Sequence, residues 1–220
     1  MSTLTEPAAT RPSLLTRCPV VPVVVLDTAD QARPLAAALL AGGIDVIEVT
    51  LRTPAGLAGI TAIADLPGLH VGAGSVLTAT QVDQVVDAGA RFVVSPGLSA
   101  AVVERAHERG VPALPGIATA SDLMAAAALG LDEVKIFPAG LLGGPAMITA
   151  LAAPFPQLRF MPSGGVSPAT MTDYLSLPMV PAVSGSWMVD RELLRRNRFD
   201  EVTRLSAAAI SQARWARPAG

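Results

Sequence analysis

A repeat of about 20–25 residues constrains this chain more than any other feature. An Ala- and Leu-rich segment with helical character closes at a glycine, and a short β-branched run follows. The closing glycines are Gly43, Gly68, Gly89, Gly110 and Gly130, at spacings of 25, 21, 21 and 20. Glycine just past a helix supplies the left-handed residue that ends it. The runs DVIEVTL, HVGAGSV, FVVSPG, PALPGI and EVKIFP follow these closures, VVPVVVLD precedes them, and RFMPSGG and PAVSGSW come after. Eight strands alternating with helices predict an α/β chain, a (β/α)8 TIM barrel of one domain. An open doubly wound sheet is the runner-up. The even unit length and the absence of a long insertion favour the barrel. In such barrels the chemistry sits at the C-terminal ends of the strands.

Composition limits the rest. With 51% apolar and 15% charged residues, the 220-residue chain can build a large core. A net charge of −2 argues against a nucleic-acid partner, which selects a basic face. No run reaches the ~20 apolar residues of a membrane span, so no membrane partner is expected. Cys18 is the one cysteine, which fits a reducing cytoplasm. The first dozen residues lack a charged start followed by an apolar core, so no signal peptide is read there. Residues 1–15 are expected to form a flexible N-terminal tail, and residues 16–220 the barrel.

Of 16 basic residues, 15 are Arg and one is Lys, namely Lys135. It lies inside EVKIFP, where burial makes an ammonium costly unless it is paired or neutral. Arg serves most surface and ion-pair roles but has no usable neutral form. A lone Lys in a barrel strand therefore points to its amine, which when neutral attacks carbonyls to form a Schiff base. The bland alternative is a side chain that reaches the rim or pairs with a carboxylate.

In DVIEVTLR, alternation puts Glu48 and Arg52 on one face. Glu48 suits a proton shuttle beside an amine, and Arg52 suits capture of a carboxylate. An ion pair between the two is an equally good reading. Ser75 after GAG offers a hydroxyl, and Pro96 in SPG an apolar wall. PSGGVSP, with Ser163, Gly164 and Gly165, opens a helix where these barrels often bind phosphate, and the SGS ending at Ser186 completes it. An ordinary strand-to-helix turn is the competing reading. Thr53, Thr78, Ser99, Thr119 and Ser167 are candidate helix caps. His70 and His107 are isolated, and no metal-ligand cluster is visible, so no metal is expected.

Taken in order, EVTLR, GAGSVL, SPG, PGI, EVKIFPA, GGP, RFMPSGG and GSW resemble the 2-keto-3-deoxy-6-phosphogluconate aldolases of the Entner–Doudoroff pathway. The resemblance runs from about Thr16 to Arg214 and is specific in both order and spacing. It implies a class I lyase on a (β/α)8 barrel, typically a homotrimer. That lyase cleaves its phosphorylated keto acid to pyruvate and glyceraldehyde 3-phosphate. Many members also cleave 4-hydroxy-2-oxoglutarate to pyruvate and glyoxylate. It further implies a covalent imine on Lys135 with no cofactor, Glu48 as general acid/base and Arg52 as the carboxylate ligand. By the same resemblance Ser75, Pro96 and Phe137 line the substrate, and Ser163, Gly164, Gly165 and Ser186 bind its phosphate. Departures are Ser75 and Ser163, where Thr is common, GLLGG after FPA, and Leu26-Asp27, where a basic residue is frequent. A galactonate-type 2-keto-3-deoxy acid aldolase and a phosphosugar isomerase barrel are the alternatives.

Overall fold

The computed structural model describes residues 13–216. Strands and helices alternate: β1 Val20–Val24, α1 Ala32–Ala41, β2 Val46–Thr50, α2 Ala55–Ile63, β3 His70–Gly74, α3 Ala79–Asp87, β4 Val93–Ser95 and α4 Ala100–Glu108. There follow β5 Ala113–Ile117, α5 Ala120–Ala128, β6 Glu133–Ile136, α6 Gly144–Ala152, β7 Arg159–Pro162, α7 Met171–Leu175, β8 Val183–Gly185, α8 Arg191–Arg195 and α9 Phe199–Ala216. The strands are parallel and run in chain order, with β8 returning to β1 through Val20↔Val183 and Val21↔Ser184. Between β7 and β8 the Phe160 N–H reaches the Met179 carbonyl, just before β8, at 2.9 Å. The sheet is thus a nearly closed (β/α)8 barrel, as the eight runs predicted.

Local chemistry explains the regularity. The Ile44 N–H reaches back to the Leu39 carbonyl at 2.9 Å, with Gly43 left-handed between them. The same closure follows α3, α4 and α5 at Gly89, Gly110 and Gly130. Gly68 differs: α2 has already ended at Ile63, and this glycine serves a later turn. Thr78 and Thr119 cap α3 and α5 through their hydroxyls. Ser99 makes no side-chain cap bond, and α7 starts at Met171 rather than behind Ser167. Thr53 is not a cap either; its hydroxyl donates to the Leu26 carbonyl at 2.6 Å.

Strands β1, β2 and β5 are buried along their whole length, because helices cover one face and the barrel interior the other. Near the N-terminal ends of the strands, His70 stacks on Phe92 with ring centroids 5.4 Å apart. An ideal Cβ on Gly72 would stand 2.2 Å from that ring, so a glycine is needed beneath it. Leu14 and Leu15 are buried in the core, and Ser13 and Leu14 hydrogen-bond to Glu133 at the start of β6. The packed chain therefore begins by Ser13. This corrects the end of the expected 1–15 tail, whose first twelve residues lie outside the described ones. Among the described residues no helix is long and apolar enough to cross a membrane.

Candidate active site

Lys135 on β6 and Glu48 on β2 project from opposite sides of the barrel and meet inside it. Lys135 is 4% exposed and Glu48 1%. Lys135 Nζ donates to Glu48 Oε1 at 3.2 Å and Oε2 at 3.3 Å. Two ions removed from water are retained only where their mutual attraction offsets the desolvation cost. Of the bland readings for these residues, one holds and one does not. Lys135 does pair with a carboxylate, inside the barrel, and does not reach the rim. Glu48 pairs with Lys135 rather than with Arg52.

The surrounding residues explain how the pair fits. Gly74, which ends β3, lies against the carboxylate, and an ideal Cβ there would stand 2.2 Å from Glu48 Oε1. The GAG glycines thus make room for Phe92 and for Glu48. Phe137 follows β6 and places its ring 5.7 Å from Lys135 Nζ, within cation–π range. Gly116 is the register partner of Lys135 on β5. An ideal Cβ on Gly116 would stand 2.1 Å from the Pro96 carbonyl, so the end of β4 folds over β5 and sets Pro96 at the mouth.

Arg52 lies two residues beyond Thr50, exposed at the mouth, and its Nε donates to Ser75 Oγ at 3.1 Å. Ser75 holds φ 58°, a left-handed conformation that costs a non-glycine residue about 1–3 kcal/mol. That strain sits where the hydroxyl meets the guanidinium. Sequence gave no sign of it, since serine shows no preference that marks a left-handed position.

On the other side of the mouth, Gly164 and Gly165 hold φ 82° and 85°. Gly164 faces the Phe137 ring, and Gly165 faces Gly140, with an ideal Cβ 3.2 Å from the Gly140 Cα. The Gly140 N–H bonds the Gly164 carbonyl and the Ala139 N–H the Ser163 carbonyl, both at 2.8 Å. The SGG turn is therefore knitted to the loop after β6, a role for Gly140 that no local sequence signal announced. Ser163 is buried, whereas Gly165 and Ser186 are exposed at the rim. Ser184 is fully buried and its hydroxyl has no hydrogen-bond partner, so of the SGS serines only Ser186 reaches the mouth.

Away from this centre, burial lowers the pKa of His70, as do the Arg17 and Arg91 charges, which suits its stacked, structural position. Among the described residues no group of three or more His, Cys, Asp or Glu side chains is arranged to hold a metal ion.

A family model for KDPG and KHG aldolases matches residues 12–205. The chain belongs to the KDPG and KHG aldolase family. Like the rest of this family it is an aldolase, a carbon–carbon lyase. The KHG/KDPG aldolase of Escherichia coli (strain K12) is 45% identical over 92% of this chain and 95% of its own length. The 2-dehydro-3-deoxy-phosphogluconate aldolase of Dickeya dadantii (strain 3937) is 43% identical over 91% and 94%. A crystal structure of KDPG aldolase from Legionella pneumophila, with pyruvate captured at low pH as a covalent carbinolamine, is 39% identical. It covers 89% of this chain and 95% of its own, with a TM-score of 0.86. The one lysine of this chain is the residue paired with Glu48.

Proposed function

We propose that this aldolase cleaves 2-keto-3-deoxy-6-phosphogluconate (KDPG) to pyruvate and glyceraldehyde 3-phosphate through an imine on Lys135. The observation that carries the reading is the buried Lys135–Glu48 contact at 3.2 Å. Across it the carboxylate takes the ammonium proton and frees the amine lone pair. The amine adds to the C2 ketone, and Glu48 gives its proton to the departing hydroxyl, so the carbinolamine loses water to leave a protonated imine and an ionised Glu48. Glu48 then removes the C4 hydroxyl proton. The C3–C4 bond breaks, its electron pair moves into the imine to form an enamine, and glyceraldehyde 3-phosphate leaves. Glu48 returns the proton to C3, and hydrolysis frees pyruvate and Lys135. The covalent imine takes the place of a cofactor.

Arg52 and Ser75, already joined at 3.1 Å, hold the C1 carboxylate. Pro96 and Phe137 wall the reacting carbons. Ser163, Gly164, Gly165 and Ser186 hold the distal phosphate. Support for this assignment is the pair of left-handed glycines at the mouth, after β7, together with an exposed Ser186 after β8. Cleavage of 4-hydroxy-2-oxoglutarate (KHG) follows the same steps with glyoxylate as the aldehyde. A homotrimer in the cytoplasm completes the reading. The exposed Leu77 and Leu141 are apolar surface that a subunit contact would cover, and light scattering at three times the chain mass is the check.

The test is chemical trapping. Pyruvate with borohydride leaves one pyruvyl group per chain, on the peptide that holds Lys135, with parallel loss of activity. A label confined to the N-terminal amine, with activity lost, would overturn the mechanism.

A further inference from the structure

An ion-paired clamp at the mouth has no part in the chemistry above. It centres on Asp27, in the loop that follows β1. That loop lies between β8 and β2, the two neighbours of β1 in the barrel. On the β2 side the end of β1 and the loop are each stapled once. Thr50 donates to the Val24 carbonyl at 2.8 Å and Thr53 to the Leu26 carbonyl at 2.6 Å. Thr53 directly follows Arg52. The loop is firm in itself: Gln31 Oε1 accepts from the Asp27 and Thr28 N–H groups at 2.9 and 3.3 Å, and Leu26 is fully buried.

On the β8 side the Asp27 carboxylate reaches across to α8. Oδ1 accepts from Arg191, and Oδ2 accepts from Arg195 Nε at 2.7 Å. Those hydrogen bonds, from Arg191 first and Arg195 second, hold Asp27 below the ordinary carboxylate range, so it is ionised at neutral pH. Helix α8 buries Leu194 and packs half-buried Leu193 against the core, and the two arginines add its ties to the loop after β1. It is joined to Ser186 by a single 3-10 turn, Trp187–Val189, in which the Val189 N–H bonds the Ser186 carbonyl at 3.0 Å. A continuous series of contacts thus runs from Arg52 through Thr53, Leu26, Asp27 and the two arginines to Ser186.

We infer that Asp27 is a positioning residue which sets the span between the Arg52 end and the Ser186 end of the site, and so favours a substrate with an anionic group at each end. The inference rests on the proposed carboxylate and phosphate subsites. Six-carbon KDPG is gripped at both ends and feels that span. Pyruvate is gripped at the Arg52 end alone and does not. Two exposed ion pairs contribute little to folding, so the effect is one of placement rather than of stability.

The experiment compares KDPG with its unphosphorylated counterpart, 2-keto-3-deoxygluconate, and uses inorganic phosphate as a competitor. In the Asp27→Asn variant, KM for the phosphorylated acid rises by about five- to tenfold, while Ki for inorganic phosphate, held at one end alone, stays within about twofold. Its kcat, its KM for the unphosphorylated acid and its rate of pyruvate trapping stay within about twofold. Asp27→Glu restores most of the loss, and Arg195→Gln, altered only at an exposed side chain, moves KM in the same direction by less. Equal KM changes on both substrates, or no change on the phosphorylated one, overturn the inference while leaving the proposed function intact. Failure of that function shows in the unaltered enzyme, as absent trapping on Lys135 or absent competition by phosphate, and overturns the inference with it.

Discussion

Strand β6 carries two inward-placed charged residues, Glu133 at its start and Lys135 two positions later, and the two ends of the barrel use them differently. At the N-terminal end, the Glu133 carboxylate is closed off by Ser13 Oγ, which also accepts from the Thr16 N–H at 3.2 Å, and by the Leu14 N–H. Its register partner Arg159 gives its N–H groups to the Pro156 and Leu158 carbonyls instead. Towards the mouth, the Glu48 carboxylate is held by one amine, the group proposed to add to an incoming ketone. A carboxylate satisfied by hydroxyl and backbone is a staple. One satisfied by an amine is, on the proposed mechanism, a reagent. Glu133 is half-buried and Glu48 fully buried, but the partner makes the difference.

The largest test of that contrast is Lys135→Arg. It keeps the charge opposite Glu48 but removes the neutral form, so the chain folds while kcat falls on the order of 10⁴-fold or more. Steady-state cleavage and circular dichroism on one sample check both halves. Glu48→Gln comes next. An oxygen still faces Lys135, yet the proton shuttle is gone, and kcat drops on the order of 10²-fold. Near-normal turnover in that variant would move Glu48 from reagent to staple. Gly74→Ala reaches the same carboxylate from behind, because its methyl group would sit 2.2 Å from Oε1. A displacement of the order of 1 Å lowers kcat by about 10- to 100-fold, with KM for the keto acid little changed.

Changes at Glu133 are smaller and fall on stability. Glu133→Ala leaves the Leu14 N–H without its acceptor and costs about 1–3 kcal/mol, read as a lower Tm, with kcat within about twofold. Glu133→Gln tests the charge alone. Burial raises the Glu133 pKa above the usual carboxylate range, and the hydrogen bond from Ser13 only partly opposes this. The folded state therefore holds this proton more tightly than the unfolded one. Stability from the protonated form is present below the unfolded value and lost as pH rises through the folded one. Relative to the parent, Glu133→Gln should gain stability as pH rises from acid to neutral. Thermal unfolding of both chains across that range is the check, and a difference independent of pH would show that the carboxylate is not strained by burial.

How much of this was legible beforehand differs from residue to residue. Gly43, Gly89, Gly110 and Gly130 announced helix ends, because a left-handed C′ residue is a local requirement and glycine meets it without strain. Lys135 stood out from composition, since a chain that uses Arg almost everywhere else makes its one Lys conspicuous, and the structure sets it against Glu48. Thr53 misled, because a hydroxyl before Pro54 fits a cap as well as it fits a bond to the neighbouring strand's loop, and only the neighbour decides. Leu14 and Leu15 misled in the same way: nothing nearby shows that Glu133 waits for them.

By itself the sequence determined the eight-unit barrel, the glycine-closed ends of α1, α3, α4 and α5 and the types of group at its mouth. These follow from short-range rules: period-two burial, capping and glycine backbone freedom act within a few residues. Tertiary structure alone decided the partners. Glu48 and Lys135 are 87 positions apart and Asp27 and Arg195 168, so no local pattern relates them. Closing the sheet sets β2 opposite β6 and β1 beside β8. Only then does a carboxylate meet an amine in the interior, or an aspartate reach two arginines at the rim.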